Sequence, residues 1–402
     1  MAMLLQQPIE SALASRASGL VGSIIDSSTT LLARQRHDIV RFAMGAPSDD
    51  LMPVALLDRY AGTSARGKYS YGASEGESAL VEQVLQRFAA YPHGDPERIT
   101  ITTGGMQGLD LACKLFVDPG DLVIVEGPTY TNGSAVALSY GARVVEAPVD
   151  DDGMVVEALE EIVEREGRFP KALYTVPTFQ NPSGVTLSLA RRTRLLELAE
   201  RWGSMIIDDD PYGVLRFEGE PVASFQEISP GNPRVFSVRT FSKTLAPGLR
   251  VGWVEADRSL HQLLINAKQA MDTCTSVPTQ TAVAAFLADG HFDAHVGSVL
   301  GLYHERKNAM RAAVQQHFGD TVRTTDPDGG FFLWATFSDG VDTSALFEPA
   351  LAHGVAFIPG SAFSVSGNFR DSLRLCFATS TPERIDEGVQ RLRRAVDELA
   401  AG

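Results

Sequence analysis

The residue types around Lys243 are those of a site that binds an aldehyde and a phosphate. Segment 240–250 reads Thr-Phe-Ser-Lys-Thr-Leu-Ala-Pro-Gly-Leu-Arg. A lysine among small and hydroxyl-bearing residues can lose its proton and attack an aldehyde to form a Schiff base, and nearby hydroxyls and an arginine can hold a phosphate. The combination indicates pyridoxal phosphate. Short motifs also arise by chance, so a solvated loop lysine beside an unrelated arginine is the alternative interpretation.

The composition is that of an ordinary globular protein with an acidic balance. The chain has 402 residues, 44% of them hydrophobic and 21% charged, which is enough for two domains with sizeable cores. Asp and Glu number 50 against 35 Lys and Arg, and the formal net charge of -15 argues against binding to nucleic acid or to anionic membranes. An anionic ligand must therefore be held by local positive charge.

Cysteine usage and the N-terminal segment predict a cytoplasmic protein. Cys113, Cys274 and Cys376 are scattered and odd in number, which fits a reducing compartment better than a disulfide framework. Residues 1–14 lack the basic start and long apolar core of a signal peptide, and no apolar run approaches the length of a membrane span. We therefore expect no membrane association.

Short β-branched runs separated by helical patterns indicate an α/β fold between residues 99 and 255. Such alternation is typical of a mostly parallel sheet covered by helices, and these sheets bind ligands at the carboxyl ends of their strands. Helices are predicted at 106–116 and 189–202. Strands are predicted at seven places, namely 99–103, 122–126, 143–147, 172–176, 204–208, 234–239 and 252–255.

Beyond residue 290 the pattern changes, which predicts a second, smaller α+β domain. It is expected to contain a long charged helix, two short strands and a terminal helix, at 296–317, 330–336, 355–358 and 382–400. We predict an N-terminal arm that joins the small domain, a large ligand-binding domain and a small C-terminal domain, at 1–45, 46–290 and 291–402. Because no internal repeat or long linker is evident, the domains are expected to pack closely.

Polar side chains follow three of the predicted strands. The strand at 204–208 runs into Asp209-Asp210-Pro211-Tyr212, and the strand at 172–176 runs into a loop that contains Asn181-Pro182-Ser183-Gly184. The strand at 234–239 leads to Lys243. Each of these residue types is common in turns. Three loops that bring a carboxylate, a phenol, an amide and an amine to one edge of one sheet nevertheless predict a site there.

With these loops in place, the chain resembles the class I/II aminotransferases of fold type I, especially the branch of 2-aminoadipate, kynurenine and aromatic aminotransferases. The resemblance implies a fold-type I architecture with a seven-stranded, mostly parallel sheet and a smaller domain, and pyridoxal 5'-phosphate as the cofactor. It extends over nearly the whole chain through Tyr71-Gly72 to Gly76, Thr103-Gly104-Gly105, Pro128-Thr129-Tyr130, Asn181-Pro182-Ser183-Gly184, Asp209-Asp210-Pro211-Tyr212, Ser242 to Arg250, and Arg374.

The resemblance implies a role for each residue around the cofactor ring. Lys243 would form the Schiff base and move a proton between substrate Cα and cofactor C4′. Asp209 would pair with the pyridine nitrogen and favour the protonated ring, which accepts electrons. Tyr212 and Asn181 would hydrogen-bond the phenolic oxygen of the cofactor, and Tyr130 would stack on its ring.

The resemblance also places the phosphate, the substrate and a second subunit. A helix N-terminus is a natural anion site, and the phosphate is expected at Gly105, Met106, Thr240, Ser242 and Arg250. Tyr71 matches a tyrosine whose hydroxyl related enzymes lend to the cofactor phosphate of the neighbouring subunit, which implies cofactor binding by Tyr71 and a homodimer with shared active sites. Arg374 matches the arginine that binds the substrate α-carboxylate through a bidentate pair of hydrogen bonds. Asn181 and Gly45 are expected beside the substrate.

Two positions depart from the family pattern. Gly105-Met106 stands where relatives commonly carry Ser-Gln, so a hydroxyl contact to phosphate is missing there. Arg239 stands where a small residue is common, and it either leaves the site or reaches toward a substrate side chain. No metal site is predicted, because His291 with His295 and the segment Asp150-Asp151-Asp152-Gly153 lack the further ligands that zinc and calcium sites need.

The sequence therefore predicts an aminotransferase that moves an amino group between an L-amino acid and a 2-oxo acid by a ping-pong mechanism. Another reaction on the same fold, such as β-elimination, decarboxylation or oxidase-like deamination, is an alternative, because fold and cofactor do not choose among them. A non-catalytic sensor domain of the MocR type is a second alternative, disfavoured by the acidic balance and by the short segment before the domain. The sequence does not identify the amino donor.

Overall fold

The structure, a computed structural model, describes residues 12–14, 16–17, 20, 22, 37–62, 69–89 and 94–401. Most of the predicted N-terminal arm lies outside the described residues. Within them, the chain forms a large sheet covered by helices, a smaller sheet, and one pairing of two short strands. None of the described helices has the length and apolar character needed to cross a bilayer.

The strands and helices have the following bounds. The strands are β1 Val40–Arg41, β2 Ile99–Thr102, β3 Leu122–Gly127, β4 Arg143–Asp150, β5 Gly153–Met154, β6 Ala172–Thr175, β7 Met205–Asp209, β8 Val235–Thr240, β9 Gly252–Glu255, β10 Val322–Thr324, β11 Phe332–Phe337, β12 Val355–Ala356, β13 Ile358–Pro359 and β14 Ser372–Cys376. The helices are α1 Val54–Ala61, α2 Ser78–Phe88, α3 Gly105–Phe116, α4 Thr131–Ser139, α5 Leu159–Glu166, α6 Leu189–Trp202, α7 Phe225–Ile228, α8 His261–Gln269, α9 Val277–Ala288, α10 His291–Phe318, α11 Thr343–Ala352 and α12 Pro382–Ala401.

The large sheet has the strand order β2-β9-β8-β7-β6-β3-β4-β5. Strands β8, β7, β6, β3 and β4 run parallel, and β9 lies antiparallel between β8 and β2. All seven predicted strands are present, and β5 adds a two-residue eighth strand that pairs antiparallel with β4. The acidic segment 150–153 forms the tight turn between these two strands. Every residue of β3 is buried, as expected for a central parallel strand covered on both faces.

The prediction placed β7 and β8 one residue too early. Because β7 ends at Asp209 and β8 at Thr240, both residues are the last of their strands rather than the first of the following loops. Helix α6 has the predicted bounds of 189–202. It ends there because Gly203 adopts the left-handed conformation, with φ of 69°, which terminates a helix without a Cβ penalty.

The smaller sheet has the order β10-β11-β14-β13 with antiparallel pairing, and β1 pairs with β12 in parallel. Helix α10 begins at His291, five residues before the predicted start at 296. One buried cluster includes Phe236 of the large sheet, Leu375 of the small sheet, and Phe331, which directly precedes β11. The two sheets therefore share a continuous core.

Candidate active site

A cavity of about 250 Å³ lies at the carboxyl ends of β7 and β8. It brings together twelve of the thirteen residues predicted from the sequence, from segments between 45 and 374 of the chain. These are Gly45, Gly105, Met106, Tyr130, Asn181, Asp209, Tyr212, Thr240, Ser242, Lys243, Arg250 and Arg374. Its charged lining residues are three cations and one carboxyl group, so this acidic protein has local positive charge where an anionic ligand would need it.

Lys243 lies in the loop that follows β8 and directs its amine into the cavity. Its Nζ donates a hydrogen bond of 2.5 Å to the carbonyl oxygen of Gly45. Burial lowers the pKa of Lys243 to about 8, and the positive charge of Arg374 acts in the same direction. About one tenth of the amine is therefore neutral at pH 7, far more than for an ordinary lysine, and nucleophilic attack on a carbonyl requires this neutral form.

Asp209 is buried at the end of β7, and its side chain is held by a tyrosine that the sequence analysis missed. The Tyr174 hydroxyl donates to Asp209 Oδ2 at 2.9 Å. Burial raises the pKa of Asp209 to about 7, although the Tyr174 hydrogen bond opposes this rise. Among the described residues no cation forms an ion pair with Asp209, so a protonated ring nitrogen beside it would relieve the cost of its burial.

The two phenols predicted to contact a cofactor both line the cavity. Tyr212 is turned toward it by the loop after β7, where Asp210 Oδ1 accepts from the backbone N–H groups of Tyr212 and Gly213 at 3.2 and 2.7 Å. Burial raises the pKa of Tyr212 well above its usual value, so this phenol keeps its proton and is a hydrogen-bond donor. The Tyr130 hydroxyl donates to Met106 Sδ at 3.7 Å.

Arg374 enters the cavity from β14 of the small sheet. Its Nη1 donates to Asn181 Oδ1 at 2.9 Å and its Nη2 to the carbonyl oxygen of Ala43 at 2.7 Å. The guanidinium carbon lies 4.1 Å from the ring centre of Phe332, and burial lowers the pKa of Arg374 to about 10. No carboxylate of the described chain forms an ion pair with it. A buried guanidinium without an anion is costly, and a ligand carboxylate would offset that cost.

The opposite end of the cavity is suited to a phosphate. Helix α3 begins at Gly105 and Met106, whose backbone N–H groups belong to the first turn and have no intrahelical acceptor. Gly104, with φ of 77°, precedes the helix, and a Cβ there would come within 2.5 Å of Arg250 Nη2. Only glycine therefore allows this guanidinium to lie against the start of the helix.

Two hydroxyl groups complete this anion site. Thr240 Oγ1 donates to Ser242 Oγ at 2.9 Å, and Arg250 Nη1 approaches the same Ser242 oxygen at 3.4 Å. Arg250 itself has a left-handed backbone with φ of 50°, directly after a short helical turn at Pro247–Leu249. Backbone N–H groups, hydroxyls and a guanidinium are the donors that phosphate oxygens accept.

Some residues singled out in the sequence lie outside the cavity. Tyr71 is 87% exposed and does not line the cavity of its own chain. Arg239 turns away from the site, because its Nη2 pairs with Asp208 Oδ2 at 2.7 Å, which decides between its two predicted orientations. His295 Nε2 contacts the Thr244 carbonyl oxygen at 3.0 Å, and the ring of His291 packs against aromatic side chains.

Apolar residues also line the cavity and were not predicted from the sequence, among them Leu109 and Val176. Leu109 lies one helical turn after Gly105, so helix periodicity applied to the phosphate loop could have found it. Tyr174 pairs in register with Ile207, two residues before Asp209, which places Tyr174 near the face of the sheet that Asp209 occupies. Strand periodicity alone does not provide that register.

The donor set of the cavity fits pyridoxal phosphate. An amine of lowered pKa matches the aldehyde, the start of α3 with its hydroxyls and arginine matches the phosphate, and a buried carboxyl group matches the ring nitrogen. A phenol and an amide are present for the phenolic oxygen, and an aromatic ring is present for the face of the pyridine. The second guanidinium, that of Arg374, is left for the carboxylate of a substrate.

Comparisons with known proteins agree with this geometry. A family model described as aminotransferase class I and II matches residues 37–392. Aromatic-amino-acid aminotransferase 1 of Thermococcus litoralis is 36% identical, over 95% of this chain and 93% of that protein. The 2-aminoadipate transaminase of Thermus thermophilus is 36% identical, over 96% of this chain and 98% of that protein.

Solved structures give the same result. A kynurenine aminotransferase of Pyrococcus horikoshii, solved in complex with PMP, superposes with a TM-score of 0.90 at 33% identity and covers 99% of each chain. The α-aminoadipate aminotransferase of Thermus thermophilus has a TM-score of 0.90 at 33% identity. The predicted family, fold, cofactor and reaction class are confirmed. The chain belongs to the class I and II aminotransferases and is a pyridoxal-phosphate-dependent transaminase of fold type I.

Proposed function

We propose that this enzyme transfers the amino group of an L-amino acid to a 2-oxo acid by a ping-pong mechanism, in two half-reactions at one site. The observation that supports this most directly is the position of Lys243. Its amine, with a pKa lowered to about 8, lies in one cavity with the buried Asp209 and with the guanidinium of Arg374, which forms no ion pair with a described carboxylate. An amine, a ring counterion and a carboxylate receptor are what both half-reactions need.

Lys243 moves the proton on which the reaction depends. When bound, pyridoxal phosphate withdraws electrons from the substrate Cα and makes its proton removable. The neutral Lys243 amine accepts this proton from Cα and would return it at C4′ of the cofactor. A pKa near the working pH suits both directions of transfer. Arg374 orients the substrate by a bidentate contact with its α-carboxylate, which holds Cα within reach of the amine.

The other cavity residues hold the cofactor and set its electronic state. Asp209 keeps a proton on the ring nitrogen, and Tyr174 fixes the orientation of this carboxyl group. Tyr212 and Asn181 would donate to the phenolic oxygen of the cofactor, and Tyr130 would pack against its ring. The first turn of α3 at Gly105 and Met106, with Thr240, Ser242 and Arg250, would hold its phosphate.

Half-reactions followed separately test the proposed function. An amino donor added without acceptor is expected to release one equivalent of 2-oxo acid per site and to replace the visible absorbance of the lysine-bound cofactor by that of pyridoxamine phosphate. A 2-oxo acid should then restore the first spectrum. Aromatic amino acids and 2-aminoadipate are the first donors to examine, because relatives are named for them. Release of ammonia or carbon dioxide without pyridoxamine phosphate would contradict transamination.

The variant Arg374→Lys tests the proposed role of Arg374 in substrate binding in the same experiment. Lysine keeps the positive charge but lacks the planar pair of N–H groups that Arg374 offers a carboxylate. The donor concentration that gives half-conversion is expected to rise about 100-fold, the value of roughly one charge-assisted hydrogen bond, because lysine can replace only one of the two contacts. The cofactor absorbance of the variant without substrate should be retained. An unchanged donor requirement would remove Arg374 from the proposed carboxylate site.

We also propose that two copies of the chain form a homodimer in which each subunit completes the partner's active site with Tyr71. Tyr71 and the nearby Tyr69 are 87% and 83% exposed in the single chain. They lie beside a surface groove that also includes Cys274 and Ser276. Exposed aromatic side chains of this kind mark surfaces that a partner covers, and this supports the proposal.

Mixed dimers test this sharing. Tyr71→Ala is expected to weaken cofactor binding, and Lys243→Ala is expected to be inactive. Differently tagged copies of the two variants, co-expressed and purified as hybrids, should regain activity at low cofactor concentration, because one of the two sites then has both native residues. If Tyr71 served its own subunit, each hybrid site would lack one residue and activity would stay absent. Tyr69→Ala, equally exposed, is the control and should bind cofactor normally.

We further propose the divisions 1–45, 46–290 and 291–402 and a cytoplasmic location. Gly290, with φ of 77°, separates α9 from α10 and supports the second division. The pairing of Val40–Arg41 with Val355–Ala356 supports an N-terminal arm that joins the small domain. The three free cysteines support a reducing compartment.

A further inference from the structure

Glu126 is a buried carboxyl group close to the active site that the mechanism above does not use. It is the next-to-last residue of β3 and is 1% exposed. Its Oε1 accepts from Thr175 Oγ1 at 2.5 Å, and its Oε2 accepts from the backbone N–H of Val176 at 3.1 Å and from Gln180 Nε2 at 3.0 Å. All three partners are neutral, and no cation of the described chain forms an ion pair with Glu126.

Gln180 connects Glu126 to two loops that reach the cavity. Its Nε2 donates both to Glu126 and to the Pro128 carbonyl oxygen, the latter at 2.7 Å. Its Oε1 accepts from the backbone N–H and the hydroxyl of Ser183 at 2.8 and 2.6 Å. The polar atoms of one amide therefore join the end of β3, the loop after it and the turn at 180–184.

The residues beside these contacts are those that face the cofactor site. Asn181 follows Gln180 directly and accepts a hydrogen bond from Arg374. Tyr130 follows Pro128 by two residues and lines the cavity. Glu126 and Gln180 are themselves absent from the cavity wall, at 1% and 2% exposure. Their influence on bound ligands must pass through the two loops.

We propose that Glu126 is a positioning residue that acts through Gln180 to fix Asn181 and Tyr130 against the cofactor ring. The inference rests on the proposed function, in which Asn181 donates to the phenolic oxygen of the cofactor. Without Glu126, the Val176 N–H and one Gln180 N–H lose their acceptor in a site closed to water. Buried donors of this kind find other partners only if the loops shift.

The hydrogen-bond geometry separates this role from a purely electrostatic one. In Glu126→Gln, the amide oxygen can take the place of Oε2 and accept from Val176 and Gln180, while the amide nitrogen faces Thr175 Oγ1, a hydroxyl that can rotate to accept. Glu126→Met has similar size but no acceptor. If Glu126 is a positioning residue, Glu126→Gln should retain the cofactor-site geometry that Glu126→Met loses. An effect of charge on Asp209, which interacts electrostatically with Glu126, predicts that both variants behave alike.

The measured quantity is the pH midpoint of the visible absorbance of the lysine-bound cofactor, recorded without substrate. A donor on the phenolic oxygen draws electron density away from the neighbouring protonated nitrogen, so loss of the Asn181 contact raises the midpoint. Glu126→Met is expected to raise it by about one pH unit and Gln180→Met to do the same, while Glu126→Gln shifts it much less. The two methionine changes combined should add little beyond either alone, because they act through one contact.

Two further variants separate the possible failures. Glu255→Met removes another buried carboxyl group of the same sheet that is absent from the cavity wall, and it should leave the midpoint unchanged. Asn181→Ala must raise the midpoint directly. A shift with Asn181→Ala but none with Glu126→Met or Gln180→Met would overturn the role of Glu126 and leave the proposed function intact. No shift with Asn181→Ala would overturn both the assignment of Asn181 and this inference. Gln180→Met provides the test if Glu126→Met does not fold.

Discussion

Replacement of Lys243 by alanine is expected to lower turnover by on the order of 10⁴-fold, because the variant has neither the amine that binds the cofactor nor the base that moves the substrate proton. The visible absorbance of the lysine-bound cofactor should disappear. The anion site at the start of α3 is unchanged by the substitution, so pyridoxal phosphate should still bind without a covalent link. Steady-state kinetics, the absorbance spectrum and mass spectrometry of the borohydride-treated protein measure these effects.

Lys171→Ala is the control for this prediction. Lys171 is exposed, and its removal should leave the spectrum and the turnover unchanged. Borohydride should reduce the link to the cofactor in the native protein and in Lys171→Ala, and the modified peptide should contain residue 243. A reduced adduct on another lysine, or full activity of Lys243→Ala, would refute the assignment.

Asp209→Asn is expected to lower turnover by on the order of 10²- to 10³-fold while it stabilises the protein without cofactor at alkaline pH. The pKa of Asp209 is raised to about 7 in the folded protein, above its usual 3.8. The unfolded chain releases this proton near pH 3.8 and the folded chain only near pH 7, so the buried carboxyl group costs stability increasingly between these two pH values and by a constant amount above them. Asparagine removes that charge and still accepts from Tyr174. The melting temperature of the apo-protein should rise by about 2 °C or more at pH 8, rise by less at pH 5, and change little near pH 4.

Asp208→Asn is the matched control, since the neighbouring carboxylate has the opposite environment. Asp208 Oδ2 pairs with Arg239, and its removal leaves a largely buried guanidinium without its anion. The melting temperature at pH 8 should therefore fall. If Asp209→Asn also destabilised the apo-protein at pH 8, the buried charge would not oppose folding as the structure indicates.

Local patterns were sufficient to predict most of the fold. Parallel strands rich in β-branched residues and the helix that ends before Gly203 follow from periodicity and from terminal residues, and these predictions were confirmed. The two-residue strands, such as β1 and β5, were missed because they exist only through their partners. No pattern within two residues indicates a strand. The length of α10 was underestimated because its first turn contains no strong helical signal.

Site residues that lie in loops directly after strands could be predicted from the sequence. Site residues whose contacts depend on the register between neighbouring strands could not. Lys243 and Asn181 follow directly from the loops in which they occur. Tyr174 and Glu126 lie within strands and look like ordinary sheet residues in the sequence. Their contacts with Asp209 and Gln180 arise from the side-by-side order of β3, β6 and β7, which the sequence does not specify. The direction of Arg239 also depended on a neighbouring strand.

Residues from both sheets line the active-site cavity. The residues proposed to hold the cofactor come from the large sheet and its loops, whereas Arg374, proposed to hold the substrate carboxylate, comes from β14 of the small sheet. Exchange of one substrate for the next therefore requires no loosening of the phosphate site. After the first half-reaction, a ping-pong enzyme must release the oxo acid while it retains the amino group on the cofactor. Because substrate and cofactor are proposed to bind to residues of different sheets, the oxo acid can leave while the cofactor stays bound.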